Sequence, residues 1–288
     1  MLPTPLRTLV STLVLFAVGS GVNAYALFSK KRAGAVALQL FSRPRAAKSR
    51  IHNQELLALS QPKSLQTGGD TIRYFHWPGN GPRVLLAHGW ESNASRWAPL
   101  VYALREQGYD ILAPDAPAHG QSGGAIFNVA IYADVLNALC SQYAPSVVVG
   151  HSAGGMAAVF MLYRFPQIAP ERLVLLSSPS ELEHLMDTFR RMVYMNKRTF
   201  AGMQETFHEK YGWHMRDFSL QRFVQSLPIP GLLIHDKADS LVPLAEGIAI
   251  HQNWKGSRMV TTEGLGHSLP GVQVLEEIIR YIGEKERF

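Results

Sequence analysis

Two hydrophobic rhythms alternate along this chain. Apolar runs of four to six residues, punctuated by Gly, Pro, Asn or Asp, take turns with longer stretches whose apolar positions fall three and four apart. The first rhythm suits buried strands and the second suits amphipathic helices. Strands are expected at 71–77, 83–87, 110–113, 147–150, 172–176, 231–235 and 258–262. Helices are expected at 54–59, 95–107, 128–143, 156–165, 244–254 and 272–283, with Asn128 placed to cap one and Gly108 to close another. Strand and helix in succession imply an α/β fold, a mainly parallel sheet with helices on both faces.

Two stretches break the rhythm. Residues 180–227 are helical in character and hold five of the nine methionines, among them Met186 and Met203, with Phe189, Phe200 and Trp213. The stretch is too long for a loop and too polar for a central layer, so it reads as an inserted lid of two to four short helices. Methionine is flexible and polarisable, which suits an adaptable apolar pocket; the alternative role for each is to pack the lid onto the domain. Residues 8–28 carry no charge and are rich in Leu, Val and Ala. As a helix they would span ~32 Å, enough for a hydrocarbon core of ~30 Å. The expected domain plan is therefore a membrane segment at 1–29, a basic juxtamembrane connector at 30–69 and an α/β domain at 70–288.

Charge sharpens that expectation. Eight of the 28 Lys and Arg residues, and none of the 22 Asp and Glu, lie in residues 1–50; the rest of the chain is net acidic by two. The positive excess after the apolar segment predicts that its C-terminal side stays cytoplasmic, giving a membrane-anchored protein with a cytoplasmic domain. The alternatives are export after cleavage near Val22-Asn23-Ala24, with Arg7 as the leading charge, and a buried core helix. The connector's basic side chains would attract anionic head groups or serve as a solvated spacer. A folded part without basic excess argues against a nucleic-acid partner. One cysteine, Cys140, excludes an internal disulfide framework.

The chemistry centres on Gly150-His151-Ser152-Ala153-Gly154, a G-x-S-x-G pattern between a β-branched strand, Val147-Val148-Val149, and a helix. Such a turn strains the serine and lifts its hydroxyl to a helix N-terminus, where negative charge is favoured. A serine hydroxyl needs a base, and the base needs a carboxylate to orient it. Downstream, Asp239 follows the 231–235 strand and His267 sits in a glycine-bracketed loop after the 258–262 strand. Asp236 and His251 are the rivals; one sits at the strand end, where its reach is shorter, and the other within a helix. Attack on a carbonyl also needs two donors for the oxyanion, expected to be the backbone N–H groups of Ala153 and Trp90. His88 and Gly89 are expected to shape the Trp90 loop, His119 to be structural and His151 to line the pocket. There is no H-E-x-x-H, P-loop or dinucleotide glycine pattern, so no cofactor or metal is expected.

His88-Gly89-Trp90, the 115–122 loop, Gly150 to Gly154, the Asp239 loop and Gly266-His267 together resemble the α/β-hydrolase superfamily over about residues 70–286. The likeness is nearest to lid-bearing esterases, thioesterases and carbon–carbon bond hydrolases with a serine nucleophile; members with an aspartate nucleophile are disfavoured by Ser152. The resemblance implies hydrolysis of a small-molecule carboxylic ester through an acyl-enzyme on Ser152, with Asp239 and His267 completing the triad. A thioester or carbon–carbon bond is the alternative substrate, and a non-catalytic membrane-tethered binding protein the remaining reading.

Overall fold

A computed structural model describes residues 4–44 and 53–284. They fall into two units: one combines the N-terminal helices with residues 181–219, the other holds the remainder.

The larger unit is built on eight strands: β1 (Gln61–Thr67), β2 (Asp70–Trp77), β3 (Arg83–Ala87), β4 (Asp110–Pro114), β5 (Val147–His151), β6 (Arg172–Leu176), β7 (Gly231–Asp236) and β8 (Ser257–Thr262). Their order in the sheet is β1-β2-β4-β3-β5-β6-β7-β8. β1 and β2 run antiparallel to their neighbours, and every pair from β4 to β8 is parallel. Eleven α-helices punctuate the described chain: α1 (Thr4–Phe28), α2 (Lys30–Ser42), α3 (Gln54–Ala58), α4 (Ala98–Glu106), α5 (Val129–Tyr143), α6 (Ala153–Arg164), α7 (Leu182–Met192), α8 (Lys197–Tyr211), α9 (Leu220–Phe223), α10 (Leu244–Asn253) and α11 (Val272–Gly283). All seven expected strands form, and the α/β expectation holds.

β5, β6 and β7 are buried along their whole length, as parallel strands covered on both faces must be. Alternate residues divide between the faces. Val84, Leu86, Val149, Val174, Leu232 and Ile234 share one cluster with Leu100 and Leu104 of α4 and Ile278 and Ile282 of α11. Leu85, Val148, Leu173 and Leu233 are equally buried but lie outside that cluster, on the opposite face. Asn128 caps α5 as expected, its Oδ1 accepting from the Ile131 N–H at 2.7 Å. The expected 95–107 helix instead begins as a 3-10 turn, Ala94–Trp97, before α4, which has a proline at its start. β1 falls in the stretch expected to be a connector. Its polar, half-exposed sequence hides the alternation, and the tight turn through Gly68 and Gly69, at φ 61° and 85°, returns it onto β2.

The expectation of a membrane anchor is overturned. Among the described residues no helix is long and apolar enough to cross a membrane. Within the smaller unit, α1 spends its interrupted second half on protein contacts. A Cβ at Gly19 would collide with the Val193 carbonyl. Asn23 donates from Nδ2 to Tyr194 O at 2.9 Å, while its Oδ1 accepts from the Asn196 N–H at 2.9 Å and from Thr199 Oγ1 at 3.0 Å. Two of the basic residues that follow are engaged with α8: Lys30 pairs with Glu205 at 2.5 Å and Lys31 with Glu209 at 2.8 Å. Arg45, Lys48 and Arg50 of the same basic run lie outside the described residues.

Candidate active site

β5 delivers Ser152 to the turn before α6 with φ 52° and ψ −122°, a conformation that costs a non-glycine residue about 1–3 kcal/mol. The surrounding packing holds it there. The Ser152 N–H donates to Leu176 O at 2.8 Å, and the Ser152 carbonyl accepts the first helical bond from the Met156 N–H at 3.1 Å. The two motif glycines are needed for close approach. A Cβ at Gly150 would lie 2.5 Å from Gly155 Cα, and one at Gly154 would collide with the carbonyl oxygens of Ala87 and His88. β3 and α6 therefore touch through the backbone directly beneath the serine.

The loop after β3 lies against the same corner. A Cβ on Gly89 would sit 3.0 Å from both Ser152 Cβ and His151 Nδ1. Two buried histidines shape this loop. His88 Nε2 accepts from the Ala116 N–H at 2.9 Å, so its Nδ1 carries the proton and donates to Gly89 O at 2.7 Å. His119 Nε2 accepts from the Glu91 N–H at 3.0 Å, and its Nδ1 donates to Pro117 O at 2.9 Å. Burial holds both rings neutral, with His88 well below its ordinary pKa and His119 down to about 4. Asp115, pushed up by burial to about 6, accepts from the Ala94 and Gln121 N–H groups at 2.7 Å each. The 115–122 loop thus supports the corner and supplies none of the reacting groups named above.

His267 and Asp239 meet: Nδ1 and Oδ2 are 2.8 Å apart. A carboxylate only accepts, so Nδ1 carries the proton and Nε2 presents its lone pair. Asp239 Oδ1 accepts from the Leu241 and Val242 N–H groups at 2.9 Å each. Burial pushes this carboxyl up, but the His267 bond and the two N–H groups outweigh it and hold it below its ordinary value. The rivals are occupied elsewhere. Asp236 accepts from Thr262 Oγ1 at 2.7 Å, Leu265 N–H at 3.0 Å and Ala238 N–H at 2.9 Å, tying the ends of β7 and β8 together. His251 meets Ser257 Oγ at 2.7 Å at the end of α10.

His151 links the two halves of the site. Its Nε2 lies 2.9 Å from His267 O and donates to it, and its ring centroid is 5.0 Å from that of His267. The side chain beside Ser152 therefore holds the main chain of His267. Burial foremost, then the nearby Arg96 charge, hold His151 neutral. No sequence pattern marks Arg96; its place beside these residues emerges only in three dimensions. Cys140 is buried away from this chemistry, its thiol pushed up to about 12. Among the described residues no group of three or more His, Cys, Asp or Glu is placed to hold a metal ion.

Known proteins share this architecture. The profile of the alpha/beta hydrolase family matches residues 84–279. An esterase of Mycobacterium tuberculosis is 29% identical over 130 residues, 43% of this chain and 42% of that protein. A pimeloyl-[acyl-carrier protein] methyl ester esterase of Xylella fastidiosa is 32% identical over 95 residues, 33% of this chain and 36% of that one. The chain thus spans well under half the length of these curated relatives. An esterase structure from Exiguobacterium antarcticum superposes with a TM-score of 0.60 at 18% identity, over 78% of this chain and all of that one, a likeness of fold alone.

Proposed function

Because the chain belongs to the alpha/beta hydrolase family, we propose that it is a serine hydrolase of carboxylic esters, with Ser152 as nucleophile, His267 as base and Asp239 as the orienting carboxylate. One observation carries the reading: the 2.8 Å contact of His267 with Asp239, in a loop whose main chain is held by the residue next to the strained serine. His267 Nε2 takes the Ser152 hydroxyl proton as Oγ attacks the ester carbonyl. The oxyanion is received by the N–H groups of Ala153 and Trp90, each worth about 3 kcal/mol of barrier. His267 then gives its proton to the leaving alcohol, and the acyl group stays on Ser152. Water, deprotonated by the same nitrogen, releases the acid and restores the serine. The esterase names of the relatives support a carboxylic ester as the bond cleaved. The insertion of helices α7 and α8 between β6 and β7 supports reading them as the lid.

The test is labelling with a fluorophosphonate probe together with hydrolysis of nitrophenyl esters. The parent protein is expected to label and to turn over, and Ser152→Ala to do neither. Equal labelling of parent and variant would remove the assignment.

A further inference from the structure

Arg96 sits in the 3-10 turn Ala94–Trp97, which follows the Gly89 loop. Its Nη2 donates to Ser268 O at 3.3 Å, the residue after His267. Its guanidinium carbon lies 5.0 Å over the ring of Trp97. Both partners are neutral. Among the described residues no carboxylate lies within ion-pair distance of Arg96, and burial alone, opposed by no acid, pushes it down to about 10, so it stays charged at neutral pH.

The surroundings leave that charge unmatched. His151 and His88 are neutral, and the Arg96 charge itself helps to keep them so. The Asp239 carboxylate is turned to His267. A half-buried guanidinium beside the His267 loop, with no counter-charge of its own, is free to take up an anion that enters the site. Arg96 offers five N–H donors, of which the Ser268 carbonyl accounts for one. The side chain is only partly buried, and none of its nitrogens is among the sealed, unpartnered polar atoms, so the remaining fork is open to a ligand. A planar fork of this kind matches an oxyanion two bonds at a time.

Resting on the Ser152 ester-hydrolase reading above, we propose that Arg96 is a specificity-determining residue that grips an oxyanion, carboxylate or phosphate, carried by the ester substrate. The substrate class is then an ester with a negative charge on its acyl or alcohol part, bound with that charge beside the Ser268 carbonyl while the ester carbonyl meets Ser152.

The experiment compares kcat/KM across three series of matched chain length. These are neutral ethyl esters, the ethyl half-esters of α,ω-dicarboxylic acids, and acyl esters of 2-hydroxyethyl phosphate. The full-length protein is expected to favour at least one anionic series over the neutral one by tenfold or more, and the favoured series says which oxyanion is read. That preference should shrink as salt rises, fall to within about threefold in Arg96→Gln, and survive in part in Arg96→Lys. A structural role alone would lower all three series together and leave the ratio unmoved, which overturns the proposal. So would a parent protein with no anionic preference, or one whose preference is unchanged in both variants. Absence of turnover and of fluorophosphonate labelling in the parent would sink the ester-hydrolase reading itself, a result distinct from labelled, active protein without charge preference.

Discussion

The strain at Ser152 is tolerated because two glycines let backbone meet backbone around it. Gly154→Ala would push a methyl group into the Ala87 and His88 carbonyls. It is expected to cost about 2 kcal/mol of stability and to slow turnover by displacing the Gly89 loop, as read by urea unfolding and ester kinetics. The two aspartates three residues apart invite a sharper comparison. Asp239→Asn is expected to lower kcat by about a thousandfold or more with a small change in thermal midpoint, because the amide would favour the wrong His267 tautomer. Asp236→Asn should do the reverse. It loses its match to the donors of Thr262, Leu265 and Ala238, so the thermal midpoint falls further while Ser152 remains reactive to the probe. If the two variants exchanged these phenotypes, the assignment of Asp239 would be wrong.

Among the elements, the N-terminal helices show how an apolar run can serve a protein contact. α2 and α8 cross where glycine faces glycine: a Cβ at Gly34 would collide with the Gly202 carbonyl group, and one at Gly202 with Lys30 O. Gly34→Leu therefore cannot keep this crossing. Hydrogen exchange should show lost protection across 197–211, whereas Lys31→Gln, which removes only a surface ion pair, should leave it nearly unchanged. Asn23 adds a polar clip, satisfying groups on Tyr194, Asn196 and Thr199 at one point. In a hydropathy profile that asparagine merely weakens an apolar segment; in the fold it bonds the segment to three residues of the 194–199 stretch.

For the molecule as a whole, buried neutral histidines tie stability to pH. His119 has a folded-state pKa of about 4 against an ordinary 6.5, so the unfolded chain binds the proton more readily between those values. Stability from this group is complete above pH 6.5 and is lost as pH falls toward 4. Between pH 7.5 and 5.0 His119 alone should remove about 2 kcal/mol of unfolding free energy, with His88 acting in the same direction. Urea midpoints at the two pH values check this. His119→Gln is expected to flatten the difference by about that amount, since the amide can still accept from Glu91 and does not titrate. An unchanged slope would show that the ring is not held neutral.

The sequence alone determined the alternation of seven strands with helices, the serine corner and the order of serine, aspartate and histidine along the chain. Those signals are local: hydrophobic period, β-branched runs and glycine or proline punctuation act within a few residues. Only the tertiary structure decided the matters that depend on distant partners. Asp236 ends β7 and Asp239 lies three residues on in the turn that follows, and which of them meets His267, 28 positions beyond Asp239, is set by the fold. β1 is too polar to announce itself and becomes a strand by pairing with β2. α1 reads as a membrane span until Asn23 is seen bonded to Tyr194, 171 residues on. Arg96 is an ordinary surface-type residue in the sequence, and only the fold brings its guanidinium to the Ser268 carbonyl, one residue beyond His267.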